Sequence, residues 1–287
     1  MFRQSFDKVN DTPEGRTFAI GDIHGDFGAL KKLIESLDLQ ATDHLVFLGD
    51  LIDRGPDSKA VIDYLIELDQ KFECRFIMGN HEEYLIEAVF QENMDVANSW
   101  ISRGGRETLD SYGVSRAEEL FSALPREHLT FFLGLLPAYE TQTHIFSHAG
   151  WQTGEPMSRQ TRTSLRYQFM QAATPDKDFD KKIIVGHSAV INGMPARKGN
   201  FICIDTIQAE EGYLTAYDIK GNQFYQANSA GSTRQFDEAE CFDENRHVPQ
   251  AYRRQPQPRP QSQLQPEFQP EFQTESRLES LPMAHAC

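Results

Sequence analysis

Cysteine is scarce and scattered: Cys74, Cys203, Cys241 and Cys287 are the only four in 287 residues, and no two form a Cys-x-x-Cys pair. That spacing predicts neither a disulfide framework nor a structural zinc site, and it fits a reducing compartment. No run approaches the roughly 20 apolar residues of a membrane span. The opening Met1-Phe2-Arg3-Gln4-Ser5-Phe6-Asp7 lacks the apolar core of a signal peptide. Basic charge is short as well: 28 Lys and Arg stand against 43 Asp and Glu, a formal net charge of −15. General nucleic-acid binders and proteins that coat anionic membranes need a basic surface, so both partner classes are set aside. A cytoplasmic protein is the expectation. An anionic substrate stays open, because a bound metal reverses the sign of a local field.

What is present is a repeated pattern of short apolar runs that end in glycine and charge. Residues 1–14 are polar and read as a lead-in. Thr17-Phe18-Ala19-Ile20 predicts a buried strand, and Phe27, Leu30, Leu33, Ile34 and Leu37 follow with helical spacing. His44 to Leu48 and Arg75 to Met78 predict further strands. Between them Pro56-Asp57-Ser58 offers a turn and cap for a helix through Val61, Ile62, Leu65, Ile66 and Leu68. A helical pattern from Glu83 to Phe90 follows. This alternation predicts βαβ units around a largely parallel inner sheet. From Trp100 to Glu140 the pattern becomes a helical insertion, with Arg103-Gly104-Gly105 as a loop and Arg126 to Tyr139 as a helix ending near Pro137. Strands resume at Thr143–Phe146, Ile183–Val185, Phe201–Ile204, Tyr213–Tyr217 and Gln223–Tyr225, the last three suiting antiparallel hairpins. The folded domain is expected over 15–230. Residues 231–287, with Gln265-Pro266-Glu267-Phe268 repeated as Gln269-Pro270-Glu271-Phe272, bury too little apolar surface to offset their ordering entropy. They predict a disordered Pro/Gln-rich tail, with partner docking on the repeated Phe as the sharper reading.

The chemistry collects after the strands. Gly21-Asp22-Ile23-His24-Gly25, Gly49-Asp50-Leu51-Ile52-Asp53-Arg54-Gly55 and Gly79-Asn80-His81-Glu82 each follow an apolar run, and His148 and His187 follow two later ones. In an open α/β sheet, ligands gather at the carboxyl ends of strands. Asp22, His24, Asp50, Asn80, His148 and His187 are hard oxygen and imidazole donors suited to Mn, Fe or Zn. Arg54 suits a phosphate. His44, His128, His144, His247 and His285 have no such setting and read as ordinary histidines.

These three motifs, together with Ser147-His148-Ala149-Gly150 and Gly186-His187-Ser188, resemble the signatures of the phosphoprotein phosphatase (PPP-type) family of metallophosphoesterases. Trp100, Gly104-Gly105 and Thr108-Leu109-Asp110-Ser111-Tyr112-Gly113 are similar to the insertion of its bacterial and phage branch. The resemblance covers Arg16 to Ile219. It implies a calcineurin-like α/β fold: a central β-sandwich of mixed sheets flanked by helices, with the helical insertion over the site. It also implies two divalent metal ions, most simply Mn, with Asp22, His24 and Asp50 on one and Asp50, Asn80, His148 and His187 on the other. A hydroxide between them would attack phosphoserine or phosphothreonine directly. His81 would be the general acid, Asp53 its partner and Arg54 the phosphate clamp. Arg166 is the family-like second phosphate-binding arginine, with Arg159 and Arg162 as rivals. The sequence departs from the family at Ser188-Ala189-Val190 and Asp205-Thr206-Ile207, without losing a ligand.

Three other readings compete. A symmetrical dinucleoside tetraphosphate hydrolase shares fold and metals, but such enzymes usually depart from the Asp53-Arg54-Gly55 and His81-Glu82 forms kept here. A nuclease or phosphodiesterase typically carries Gly-His-x-His, where this chain has Ala189. A non-catalytic phosphoprotein-binding scaffold would have lost a ligand or the acid, and none is lost.

Overall fold

The structure is a computed structural model that describes residues 15–91, 93–190, 192–207 and 212–242. The lead-in and the tail beyond 242, including its docking reading, lie outside the described residues. Two mixed sheets pack face to face. The first has six strands: β1 (Thr17–Ile20), β2 (His44–Phe47) and β3 (Glu73–Phe76), then β9 (Leu214–Asp218), β10 (Gln223–Ala227) and β11 (Thr233–Asp237), in the order β11-β10-β9-β1-β2-β3. The second holds β4 (Tyr139–Glu140), β5 (His144–Phe146), β6 (Lys182–Val185), β7 (Ala196–Lys198) and β8 (Phe201–Cys203), in the order β4-β5-β6-β8-β7.

The two-residue period of a strand explains how one run serves two cores. Ala19, Val46, Tyr217 and Phe224 face inward and meet Phe146, Ile184 and Ile202 from the other sheet. Phe18, Ile20, Leu45 and Phe47 face outward, against the helices α1 (Phe27–Ser36) and α2 (Ser58–Asp69). Ile183, Val185, Phe201 and Cys203 form the outer face of the second sheet under Leu165 and Met170. Asp26 caps α1 by accepting from the Ala29 amide at 2.8 Å, and Leu30, Leu33 and Ile34 form its buried stripe. Among the described residues, no helix is long and apolar enough to cross a membrane.

β1, β2 and β3 are parallel, as the βαβ pattern predicts, and so are β5, β6 and β8. Three expectations need correction, and one strand, β7, has no counterpart in the sequence pattern. The helix read over Arg126 to Tyr139 stops as α7 (Arg126–Leu133), where the Gly134 amide closes the last turn, and Tyr139 begins β4. The strand at Phe201 is not part of a hairpin series: it lies parallel to β6 and pairs antiparallel only with β7. β7 reads Ala-Arg-Lys, an edge strand with no apolar alternation to detect. The sheet also runs past residue 230, through β11 and the short helix α9 (Glu238–Cys241). β11 hides from pattern reading because Phe236 is its one buried residue.

Phe224 is fully buried between the sheets, stacked on Tyr217 at 4.6 Å and packed on Phe236 and Phe242. Phe224→Ala is expected to cost about 3–5 kcal/mol. A lower urea midpoint at unchanged slope is the expected result, and an unchanged midpoint would contradict this packing.

Candidate metal centre

Because β1, β2 and β3 are parallel, their carboxyl ends deliver Asp22, Asp50 and Asn80 to one end of the sandwich. Parallel β5 and β6 deliver His148 and His187. The three motifs then lock together through the backbone. The Asp50 carbonyl accepts from the amides of Ile23 at 3.0 Å and His24 at 2.9 Å. Glu82, wholly buried, accepts from the amides of Gly79 and Asp50 at 2.9 Å and of Leu51 at 2.8 Å. A Cβ at Gly79 would stand 2.2 Å from Asp50 Oδ1, so only glycine permits this approach. Asn80, His81 and Glu82 form the first turn of the helix α3 (Asn80–Leu85), which begins three residues before the predicted start at Glu83. His24, Asp50, Asp53, Arg54 and His187 all have positive φ, five of the seven such non-glycine residues among those described. Strain of this kind costs of order 1–3 kcal/mol per residue and clusters at functional sites.

The side chains gathered there are donors of electron pairs facing one another. His148 Nδ1 donates to the Leu48 carbonyl at 2.9 Å, which leaves Nε2 with a lone pair. That Nε2 lies 3.0 Å from Asn80 Oδ1, 3.2 Å from His187 Nδ1 and 3.4 Å from Asp50 Oδ1. His24 Nδ1 likewise donates to the Ile52 carbonyl at 3.2 Å, and its Nε2 stands 3.6 Å from Asp50 Oδ2 and 4.0 Å from Asp22 Oδ2. Ligands at about 2.0–2.2 Å from one ion are themselves about 3 Å apart, so the donor set fits divalent cations. The donor atoms of Asp50, His148 and His187 lie within 4.8 Å of one another, and so do those of His24, Asp50 and His81. Asp22 stands outside that second group, in which His81 takes its place, with Nδ1 on Asp53 and Nε2 beside Arg54.

Protonation follows the same logic. Burial holds His24 well below the ordinary histidine range, lowers His148 and takes His187 down to about 3, so all three stay neutral, the metal-binding form. Burial would raise Asp50, but His148, His81 and His24 around it outweigh that and keep it ionised. Asp22 is pushed well up by burial and by the charges of Asp205 and Asp50. Asp205, hydrogen-bonded to Asp22, rises to about 7 for the same reasons, burial first. Arg54 is the cation that acts against both shifts.

Beside the donors, His81 Nδ1 donates to Asp53 Oδ2 at 2.7 Å. Burial alone would lower His81, but Asp50 and Asp53 raise it overall. Arg54 lies across the site, with Nη1 2.7 Å from His24 Nε2 and Nη2 3.1 Å from His81 Nε2. Arg159 stands at the surface near Glu155, with its side chain 75% exposed. Arg162 and Arg166, from α8 (Arg162–Tyr167), both pair with Glu83; Arg166 is the deeper, at 13% exposure. No motif points to Glu83, and Glu82, inside Gly79-Asn80-His81-Glu82, carries no signal of its own role. His128, read as ordinary, bridges Asp63 and Tyr112 at 2.8 Å each, away from the site.

The calcineurin-like phosphoesterase profile matches residues 15–212. The chain belongs to the calcineurin-like phosphoesterase family. Among curated proteins, it is 27% identical over 230 residues to serine/threonine-protein phosphatase 2 of Escherichia coli (strain K12), covering 75% of this chain and 98% of that protein. It is 41% identical over 75 residues to the symmetrical bis(5'-nucleosyl)-tetraphosphatase of Cellvibrio japonicus, covering 26% of this chain and 27% of that protein. The chain thus spans about a quarter of the length of the first curated relatives it matches. The solved structure of a candidate diadenosine tetraphosphatase aligns at a TM-score of 0.55 and 19% identity, over 80% of this chain and 96% of that one. This likeness shows the fold alone. For a calcineurin-like phosphoesterase, loss of a residue that supports the ligands is felt in metal binding. Glu82→Gln, which exchanges an acceptor oxygen for an amide, is expected to weaken metal affinity about 10- to 100-fold. Metal titration of the folded variant checks this, and wild-type affinity would contradict it.

Proposed function

We propose that this calcineurin-like phosphoesterase is a metal-dependent phosphomonoesterase that releases phosphate from phosphoserine and phosphothreonine in proteins. Asp22, His24 and Asp50 would hold one cation, and Asp50, Asn80, His148 and His187 a second, with Mn our choice and Fe or Zn suited to the same donors. Bound cations supply a water nucleophile at neutral pH and neutralise charge on the phosphoryl oxygens. The chain's own residues do the rest. A proton on His81 Nε2 passes to the seryl or threonyl oxygen as its bond to phosphorus breaks, and Asp53 holds the ring on the opposite nitrogen. Arg54 turns from His81 Nε2 to the phosphate, whose oxygens accept both of its Nη groups. Arg166 is a second phosphate contact in this reading, with Glu83 competing for its charge.

The Asp53–His81 contact carries the choice of substrate class. An alkoxide is a poor leaving group and needs a proton as it departs. A nucleotide phosphate, with a last pKa near 6, needs that help far less. A buried carboxylate behind the donor histidine therefore supports a phosphomonoester substrate, and so does the length of the match to the Escherichia coli phosphatase. A symmetrical dinucleoside tetraphosphate hydrolase is the second reading, favoured by the shorter but more identical match to the Cellvibrio japonicus protein. Assaying a phosphoserine peptide beside diadenosine tetraphosphate, with and without Mn, separates them. Faster metal-dependent turnover of the peptide is expected, and preference for the dinucleotide would overturn the proposal. His81→Asn is expected to lose about 10²- to 10⁴-fold on the peptide while keeping its metal. A near-wild-type rate would remove His81 from its role. Absence of any metal-dependent turnover would revive the scaffold reading.

A further inference from the structure

Three residues of the helical insertion, spaced four apart, press on the turn that carries Asp53 and Arg54. Trp100 ends α4 (Met94–Trp100), Gly104 lies in the π-helical stretch Ile101–Gly105, and Thr108 belongs to α5 (Arg106–Ser111). The Trp100 indole donates to Asp53 Oδ2 at 2.7 Å, sharing that oxygen with His81. Thr108 Oγ1 donates to Asp53 Oδ1 at 2.6 Å and accepts from the Asp53 amide at 3.1 Å. Its one proton being committed to Oδ1, the 2.9 Å contact with Ser58 Oγ has Ser58 as donor. Ser58 Oγ accepts in turn from the Asp53 amide at 3.0 Å. Asp57, expected as part of the helix cap, stands at the N-cap of α2 without a side-chain cap bond, while Ser58 is spent on Asp53. The Gly104 carbonyl accepts from the Arg54 amide at 3.0 Å, and a Cβ at Gly104 would lie 2.7 Å from that nitrogen. Asp53 and Arg54 both sit at positive φ, so the turn needs outside support to keep its shape.

We propose that Thr108 and Trp100 are positioning residues for phosphoryl transfer: they fix both carboxylate oxygens of Asp53, so that Oδ2 stays aimed at His81 Nδ1. Asp53, Trp100 and Thr108 are fully buried, so no water replaces a lost donor without rearrangement. The insertion thereby becomes part of the acid's machinery and not only a cover. This inference rests on His81 being the general acid, and the test separates the two.

The experiment compares kcat on a phosphoserine peptide, whose leaving group needs a proton, with kcat on p-nitrophenyl phosphate, whose leaving group does not. Thr108→Val keeps the shape and drops the hydroxyl; Thr108→Ser restores it. Trp100→Phe removes the indole N–H and serves where the valine variant does not fold. Thr108→Val or Trp100→Phe is expected to lower peptide kcat roughly tenfold or more. p-Nitrophenyl phosphate turnover, KM and metal content should stay near wild type, and Thr108→Ser should recover the peptide rate. An equal fall on both substrates, or no fall on either, would overturn the inference even where His81→Asn is peptide-selective. If His81→Asn is not peptide-selective either, the acid reading falls and takes this inference with it.

Discussion

Asp50 is nearly buried, sits at positive φ, and has imidazoles of His24, His81 and His148 within 4 Å of its carboxylate. A buried carboxylate survives only if paired or hydrogen-bonded, and here the donors around it are mostly neutral rings with lone pairs turned inward. The geometry is held from outside: Glu82 gathers the amides of the turn, and the first motif docks on the Asp50 carbonyl. The sandwich supplies the rigid frame, since parallel strands bring all these turns to one end.

Much of this was legible in the residues. The βαβ half announced itself through apolar runs that end in glycine, and the ligand candidates stood one or two positions beyond. The antiparallel edges were not legible, because β7 and β11 bury almost nothing and carry no alternation. The limit at residue 230 failed for that reason. Within the site, first contacts were readable from motif type, whereas Glu82, Glu83 and Asp205 act through Asp50, Arg166 and Asp22, which lie 32, 83 and 183 residues away in the chain. One signal could have been used: Trp100, Gly104 and Thr108 at intervals of four mark a single helical face. That face turned toward the Gly49–Gly55 turn.

The division of the turn by role explains why the insertion and the substrate question belong together. Asp50 faces the donor set, Arg54 spans His24 and His81, and Asp53 is tied to both His81 and the insertion. A fold shared with nucleotide-hydrolysing relatives does not choose between leaving groups. In the proposed reaction a carboxylate braced behind His81 would, because its value depends on how badly the departing oxygen needs a proton.

Asp50 would serve both cations in the reading proposed above, and electron paramagnetic resonance of the Mn-loaded protein tests this most directly. Two Mn per chain by elemental analysis, with the exchange-coupled spectrum of a close pair that Asp50→Asn abolishes, is the predicted result. A single Mn per chain, or two with uncoupled spectra, would contradict the account.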